Sequence, residues 1–317
     1  MAETTLSNSA RRVASLIEEK RRPESMRQIF VRRFFKHRMA VFGLILLLLI
    51  VVFVVAGAAF YSESYANQTA ILNKNKPPSA EHPFGTDQVG RDILARAIYG
   101  GQISLLIGVT SVFISISVGT LVGLTSGFFG GLVDSVLMRI VEALLSIPTL
   151  ILLLVLSSVL TRNTATMNIL GRELSSTVII IVLIIGMTTW MPLARIVRSL
   201  VLSLKEQEFI VAARAIGVQN RSIIIQHVLP NCIAPIVVSA TLGIGTAIIT
   251  EAYLSFPGFG VLPPTATWGN ILSPAKDMVG TVWWMWMVPG TLIVLTVLAI
   301  NFIGDGLRDA LDPRSMR

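Results

Sequence analysis

The 317-residue chain is 53% hydrophobic and 14% charged, where a soluble domain carries about a quarter charged residues, so most of it faces lipid or other helices. One cysteine, Cys232, and three scattered histidines (His37, His82, His227) exclude a disulfide framework, a cysteine zinc cluster and a multi-histidine metal site. The net charge of +8 is concentrated, with ten of the 26 Lys and Arg residues in the first 38 positions, a membrane-topology signal that argues against nucleic acid as a partner.

Residues 1–38 therefore read as a basic cytoplasmic arm. Residues 39–61 follow as a first transmembrane helix, too long and too basic at its start to be a cleaved signal peptide. An outer loop is expected over 62–100, and a core over 101–305 with a cytoplasmic loop at 195–232, leaving 306–317 as a cytoplasmic tail. Apolar runs of about 20 residues, free of charge except for Glu251, place further spans at 101–126, 143–160, 176–194, 233–255 and 284–303, six in all. With both termini inside, 19 Lys and Arg residues fall on the inner side and seven on the outer side. The inverted topology would reverse that ratio. The chain is thus expected to be all-α and polytopic.

In the outer loop Pro83, Gly85 and Gly90 mark turns, and Thr86, Asp87, Arg91 and Asp92 offer polar groups at the outer surface. Asp87 and Asp92 alone make no metal site. In the second span Ser111, Ser115, Gly119, Gly123 and Gly127 repeat every four residues, a small-residue seam for close helix packing inside the bundle or with a partner. Pro148, Pro192 and Pro289 are expected to bend their helices. Asp134, Arg139 and Glu142 read as local pairs at the inner surface, and Glu142 and Glu251 as carboxylates near an interface. Trp268, Trp283, Trp284 and Trp286 read as an interfacial belt.

The inner loop is the most informative segment. Phe209, Ala212, Ala213 and Ile216 recur at i, i+3, i+4 and i+7, one face of a helix of about three turns. Lys205, Glu208 and Arg214 fall on other faces. Gly217 supplies a left-handed stop, 221–228 can form a second short helix, and Pro230 marks the return to the bilayer. The two alanines leave a shallow face between Phe209 and Ile216 as anchors. That face fits docking in a partner's groove or rest on the membrane surface, and its shortage of bulky apolar residues favours docking. It is the expected handle by which a separate motor moves a membrane pore.

The same segment resembles the coupling motif of binding-protein-dependent ABC importers: Glu-Ala-Ala, three residues, Gly, nine residues, Ile, one residue, Leu-Pro. Ala212, Ala213, Gly217, Leu229 and Pro230 match it; Val211 stands in place of its Glu and His227 in place of its Ile. Glu208 lies one turn before. The likeness extends through His82-Pro83-Phe84-Gly85-Thr86-Asp87 with Gly90-Arg91-Asp92, and through Gly127, Asp134, Met138-Arg139 and Ser146-Ile147-Pro148. It continues through the stretch from Glu251 to Pro264 with Trp268-Gly269-Asn270, and through the stretch from Gly304 to Pro313. These are similar to the second permease subunit of the dipeptide, oligopeptide and nickel branch.

The resemblance implies a type I ABC importer transmembrane fold in a bacterial or archaeal plasma membrane. It implies a second permease subunit, two ATPase subunits and an external solute-binding protein. Coupling to the ATPases would rest on Glu208, Phe209, Ala212, Ala213, Arg214, Ile216, Gly217, Leu229 and Pro230. An outer loop or gate would involve His82, Gly85, Thr86, Asp87, Gly90, Arg91, Asp92 and Glu251. Peptides are the implied cargo, with nickel chelates or oligosaccharides as alternatives. The sequence has no G-x-x-x-x-G-K-[ST] loop, so ATP and Mg belong to the partner ATPases and no cofactor or catalytic residue is expected here. An ion-coupled carrier would need charges at mid-span and an internal repeat. An intramembrane hydrolase would need a Ser–His or paired-carboxylate constellation in the spans; the sequence displays none of these clearly.

Overall fold

The computed structural model describes residues 26–161, 165–169 and 172–311. Most of the expected basic arm (1–25), Arg162, and the end of the tail with Asp312 and Pro313 lie outside those residues. Among the described residues five helical stretches are long and apolar enough to cross a membrane, or six if one bent helix pair counts as a single span.

Helix α1 (Met26–Lys36) leads through His37 into α2 (Arg38–Ala56), where the His37 ring caps the Ala40 N–H at 3.1 Å. A loop with the short helix α3 (Glu63–Asn67) crosses to α4 (Ile93–Phe129), which begins at Ile93, well before the expected Gly101. Asp92 starts it, its Oδ1 accepting the Ala95 N–H at 2.8 Å, so the first turn gains a partner for one of its orphan donors.

The expected single span at 143–160 is instead two helices, α5 (Gly131–Leu145) and α6 (Thr149–Leu160), turned by 83°. Pro148 explains the break: it lacks an N–H and its ring disfavours helical geometry at Ile147. A two-stranded antiparallel hairpin, β1 (Thr166–Ile169) and β2 (Arg172–Ser175), follows, a small exception to the all-α expectation. Helices α7 (Thr177–Thr188) and α8 (Met191–Leu204) together make the next span, interrupted at Thr189 and Trp190, with Pro192 in the first turn of α8. The span thus runs ten residues beyond Ala194, shortening the expected inner loop.

Helix α9 (Glu208–Ala215) is separate. Helix α10 (Asn220–Ile223), a π-helical turn (Ile224–Val228) and α11 (Leu229–Ser255) then run on without a gap, so the expected second short helix is the foot of a long one. Helix α12 (Trp268–Leu272), opened by a capping box between Thr267 and Asn270, leads to the last span, α13 (Trp283–Leu311).

The bundle has two distinct ends. His37 Nε2 lies 3.5 Å from Asp309 Oδ2, which sets the start of α2 beside the end of α13. At the other end the three connecting loops interlock: Gln88 Nε2 donates to Pro274 O at 2.7 Å, and the Ser175 N–H to Thr265 Oγ1 at 2.8 Å.

Buried residues of α4, α7 and α11, among them Ile107, Ile181, Ile185 and Leu254, fill the middle. The small-residue seam lies inside the chain, between α4 and α8. A Cβ on Gly119 would sit 2.8 Å from Trp190 O, on Gly123 2.7 Å from Ala194 O, and on Gly127 2.7 Å from Val201 Cβ. The two backbones approach as closely as they do because these positions have no side chain.

Candidate functional site

Helix α9 projects at the termini end of the bundle on a short arm between α8 and α10. Glu208 in its first turn and Arg214 in its last complement the helix dipole. It ends in a full Schellman arrangement: Gly217 has φ +82°, its N–H bonds Arg214 O at 3.0 Å, and the Val218 N–H bonds Ala213 O at 3.0 Å.

The expected stripe divides. Ala213 is buried, and Ile210, outside the expected stripe, is buried completely. Both pack into a cluster with Phe128 of α4, Val197 and Val201 of α8, and Ile223 and Val228. Fully burying an isoleucine contributes about 1.5–3 kcal/mol, and the Arg214 guanidinium adds a contact 5.0 Å above the Phe128 ring. Phe209, Val211, Ala212 and Ile216 are exposed, Ile216 at 81%. The two alanines therefore do different work: Ala213 roots the helix and Ala212 stays on the open face. His227 lies against that face, 6.4 Å from the Phe209 ring, with Leu229 half-buried and Pro230 exposed behind it. Nothing lies within 4 Å of where a Gly217 Cβ would be.

At the loop-rich end the expected polar display is turned inward. His82, Thr86, Asp87 and Asp92 are buried and spend their polar atoms on the loop itself. His82 Nδ1 is 2.9 Å from Asp92 Oδ2. Asp87 Oδ1 accepts the N–H groups of Val89 and Arg91, and its Oδ2 accepts Arg91 Nε at 2.6 Å. Thr86 Oγ1 donates to Asn73 O and accepts the Lys76 N–H. Gly85 and Gly90 have φ of +73° and +80°. A buried polar group needs such partners to avoid its desolvation cost, so these residues hold the loop's shape. Burial raises the nearby Tyr65 phenol above its usual range, with the Asp92 charge adding to it.

Glu251 is not near an exposed interface but fully buried. Ser255 Oγ donates to it at 2.6 Å and Ser104 Oγ at 3.2 Å, while Ser104 Oγ accepts the Trp268 N–H at 3.1 Å. The carboxyl thus ties α4, α11 and α12 together. Glu251→Ala leaves these hydroxyls without their acceptor and is expected to destabilise the fold by about 1–3 kcal/mol, lowering its thermal midpoint in detergent; Glu251→Gln should recover most of that. The tryptophan belt is likewise corrected for two members. Trp268 and Trp284 are buried, their Nε1 atoms donating to Ala97 O at 2.9 Å and Thr86 O at 3.2 Å, while Trp283 and Trp286 are exposed.

Two open clefts on one flank lay outside the sequence reading. A cleft of about 310 Å³ between α4, the α7–α8 break and α11 is lined by Ser115, Thr189, Ser239 and Thr246 among apolar side chains. A second, of about 700 Å³, lies nearer the termini end and includes Glu142, Arg195, Arg198 and Ser199. Pro192 and Ile196 line both. Asp134 is held by Arg198 across two helices, Nε to Oδ1 and Nη2 to Oδ2 both at 2.5 Å, rather than by a neighbour on α5. Arg139 and Glu142 do pair locally, at 3.6 Å. The lining residues come from separate elements, so no run in the sequence marks them.

Comparison with known proteins agrees with this architecture. Residues 119–317 match the family described as the binding-protein-dependent transport system inner membrane component. Residues 25–78 match the N-terminal transmembrane domain of oligopeptide transport permease C. A protein of Brucella suis biovar 1 named as a peptide permease is 43% identical over 285 residues, covering 89% of each chain. The dipeptide transport system permease protein DppC of Alkalihalophilus pseudofirmus is 41% identical over 279 residues, 88% of this chain and 87% of its own. Among solved structures, the inward-facing MetNI methionine ABC transporter shares the fold, with a TM-score of 0.52 and 24% identity over 69% of this chain and 98% of that one. The chain belongs to the binding-protein-dependent transport system inner membrane components, the permease subunits of ABC transporters, in their dipeptide and oligopeptide branch.

Proposed function

We propose that this chain is one permease half of an ATP-driven importer that moves peptides delivered by an external solute-binding protein. A second, related permease covers the open flank, and two separate ATPase subunits engage α9 from the cytosol. The observation that carries the reading is the division of α9: Ile210 and Ala213 root it on α4 and α8, while Phe209, Val211 and Ile216 stand exposed. A short helix anchored on one side with bare apolar residues on the other is built to be gripped.

Both termini would face the cytosol of a plasma membrane. The positive-inside asymmetry and the shared end of α2 and α13 support this. ATP binding would draw the ATPases together and displace α9. Phe128, Val197 and Val201 would pass that displacement to α4 and α8, the helices that flank the clefts. The motor does work only through differential affinity for two pore shapes, since a grip equal in both shifts nothing. The names of the relatives support peptides over nickel chelates or oligosaccharides as cargo.

The test is copurification. The chain, expressed with its neighbouring permease and ATPases, should retain an ATPase pair through affinity purification and gel filtration. A permease that runs without ATPases at every stage would overturn the reading.

A further inference from the structure

The geometry points to a carboxylate-binding subsite at Arg195, placed in the exit half of the path to receive the C-terminal carboxylate of a peptide cargo. The inference rests on the proposed peptide-import function.

The two clefts share Pro192 and Ile196 as lining, beside the interruption of α7 and α8. They differ in chemistry. The 310 Å³ cleft offers hydroxyls and no charge, with Ser115, Thr189, Ser239 and Thr246 on its walls. Such walls can exchange hydrogen bonds with a peptide backbone without selecting side-chain charge.

The 700 Å³ cleft carries the charges. Arg198 is charge-paired, its Nε and Nη2 each donating to Asp134 at 2.5 Å. Glu142 lies 3.6 Å from Arg139. Arg195 lines the same cleft, is exposed, and has no hydrogen bond or ion pair with any described residue. The cleft therefore holds one cation in excess of its internal pairs.

A guanidinium presents parallel donors that fit a carboxylate fork. A peptide carries a carboxylate at one end, whatever its sequence, and an ammonium at the other. A lone arginine at the exit would draw the acid end forward and leave the amine end among the hydroxyls. This gives the path an orientation rule independent of side-chain identity.

The experiment uses the complete transporter in vesicles of zwitterionic lipid, with partner subunits free of cysteine. Cys232 is buried, so an introduced Ile196→Cys supplies the accessible thiol in the shared wall. With Arg195 present, an anionic thiosulfonate reagent should react about threefold to tenfold faster relative to a cationic one than it does in Arg195→Gln. Arg195→Lys should keep the preference. A dipeptide with a free C-terminus should slow labelling, its C-terminal amide should not, and that difference should vanish in Arg195→Gln. Equal protection by acid and amide, or an acid preference that survives Arg195→Gln, overturns the subsite. ATP-dependent dipeptide uptake by the unsubstituted transporter, measured in the same vesicles, checks the underlying reading separately: its absence would overturn peptide import itself.

Discussion

Val211→Asp combined with Ile216→Asp should leave the permease folded and strip it of its ATPases. Both side chains are exposed, at 53% and 81%, and neither belongs to the buried cluster that roots α9. The unpartnered chain thus loses almost nothing. In the assembled transporter the same positions would lie under the ATPase surface, where two uncompensated carboxylates meet desolvation without partners. Truncating a hot-spot residue costs about 2 kcal/mol or more, and two buried charges exceed that, so retention of the ATPases should fall by roughly 100-fold or more. The check is the ratio of ATPase to permease after affinity purification, with circular dichroism and gel filtration showing an intact fold. Ala213→Arg is a poor substitute for this experiment. Ala213 is packed against the bundle, so its loss of coupling would be confounded with loss of α9 itself.

Gly123→Leu should prevent assembly of the bundle altogether. A Cβ at Gly123 would stand 2.7 Å from both Ala194 O and Val197 Cβ, and neither centre can yield without moving α8. Overpacking by one or two methylenes costs about 1–3 kcal/mol in a well-packed core, and four carbons against a backbone carbonyl exceed the top of that range. The expected result is failure to recover monodisperse protein from membranes. Gly243→Leu is the control. Its nearest neighbour is a movable Val112 methyl at 3.3 Å beside the smaller cleft, and it should remain extractable. Equal recovery of the two variants would refute the seam as the constraint on α4 and α8.

Much of the architecture was written in the sequence because lipid imposes simple demands. Every span had to be a long apolar run nearly free of charge, so the six apolar stretches could be located within a few residues at one end or the other. The four-residue repeat of Gly119, Gly123 and Gly127 also declared its purpose, since only backbone contact explains removing side chains on one helical face. Pro148 marked the interruption of the third span, but not that the chain would turn by 83° there. Local sequence weakens a helix without specifying what the freed segment packs against.

Partner choice between elements was much less legible. Ala212 and Ala213 are indistinguishable as types, yet one is open and the other buried. The decision was made by Ile210, which reaches Phe128 and Val201 from distant parts of the chain. Trp268 and Trp286 show the same difficulty. An indole prefers a membrane interface, but Trp268 finds a deeper place because Ser104 and Ala97 accept its two N–H groups. Asp87 and Asp92 had the composition of a binding loop and the environment of a scaffold. The Arg195 cleft had no sequence signal, because its walls come together only when α5 and α8 are in place.

Solute movement in sealed vesicles tests the central claim most directly. The chain and its companion permease are reconstituted with labelled dipeptide and loaded binding protein outside, and with ATP and the ATPase pair either present or omitted inside. Accumulation only with both ATP and ATPases, abolished by Val211→Asp with Ile216→Asp, is the predicted result. Sustained accumulation by the permeases alone, driven by an ion gradient, would contradict it.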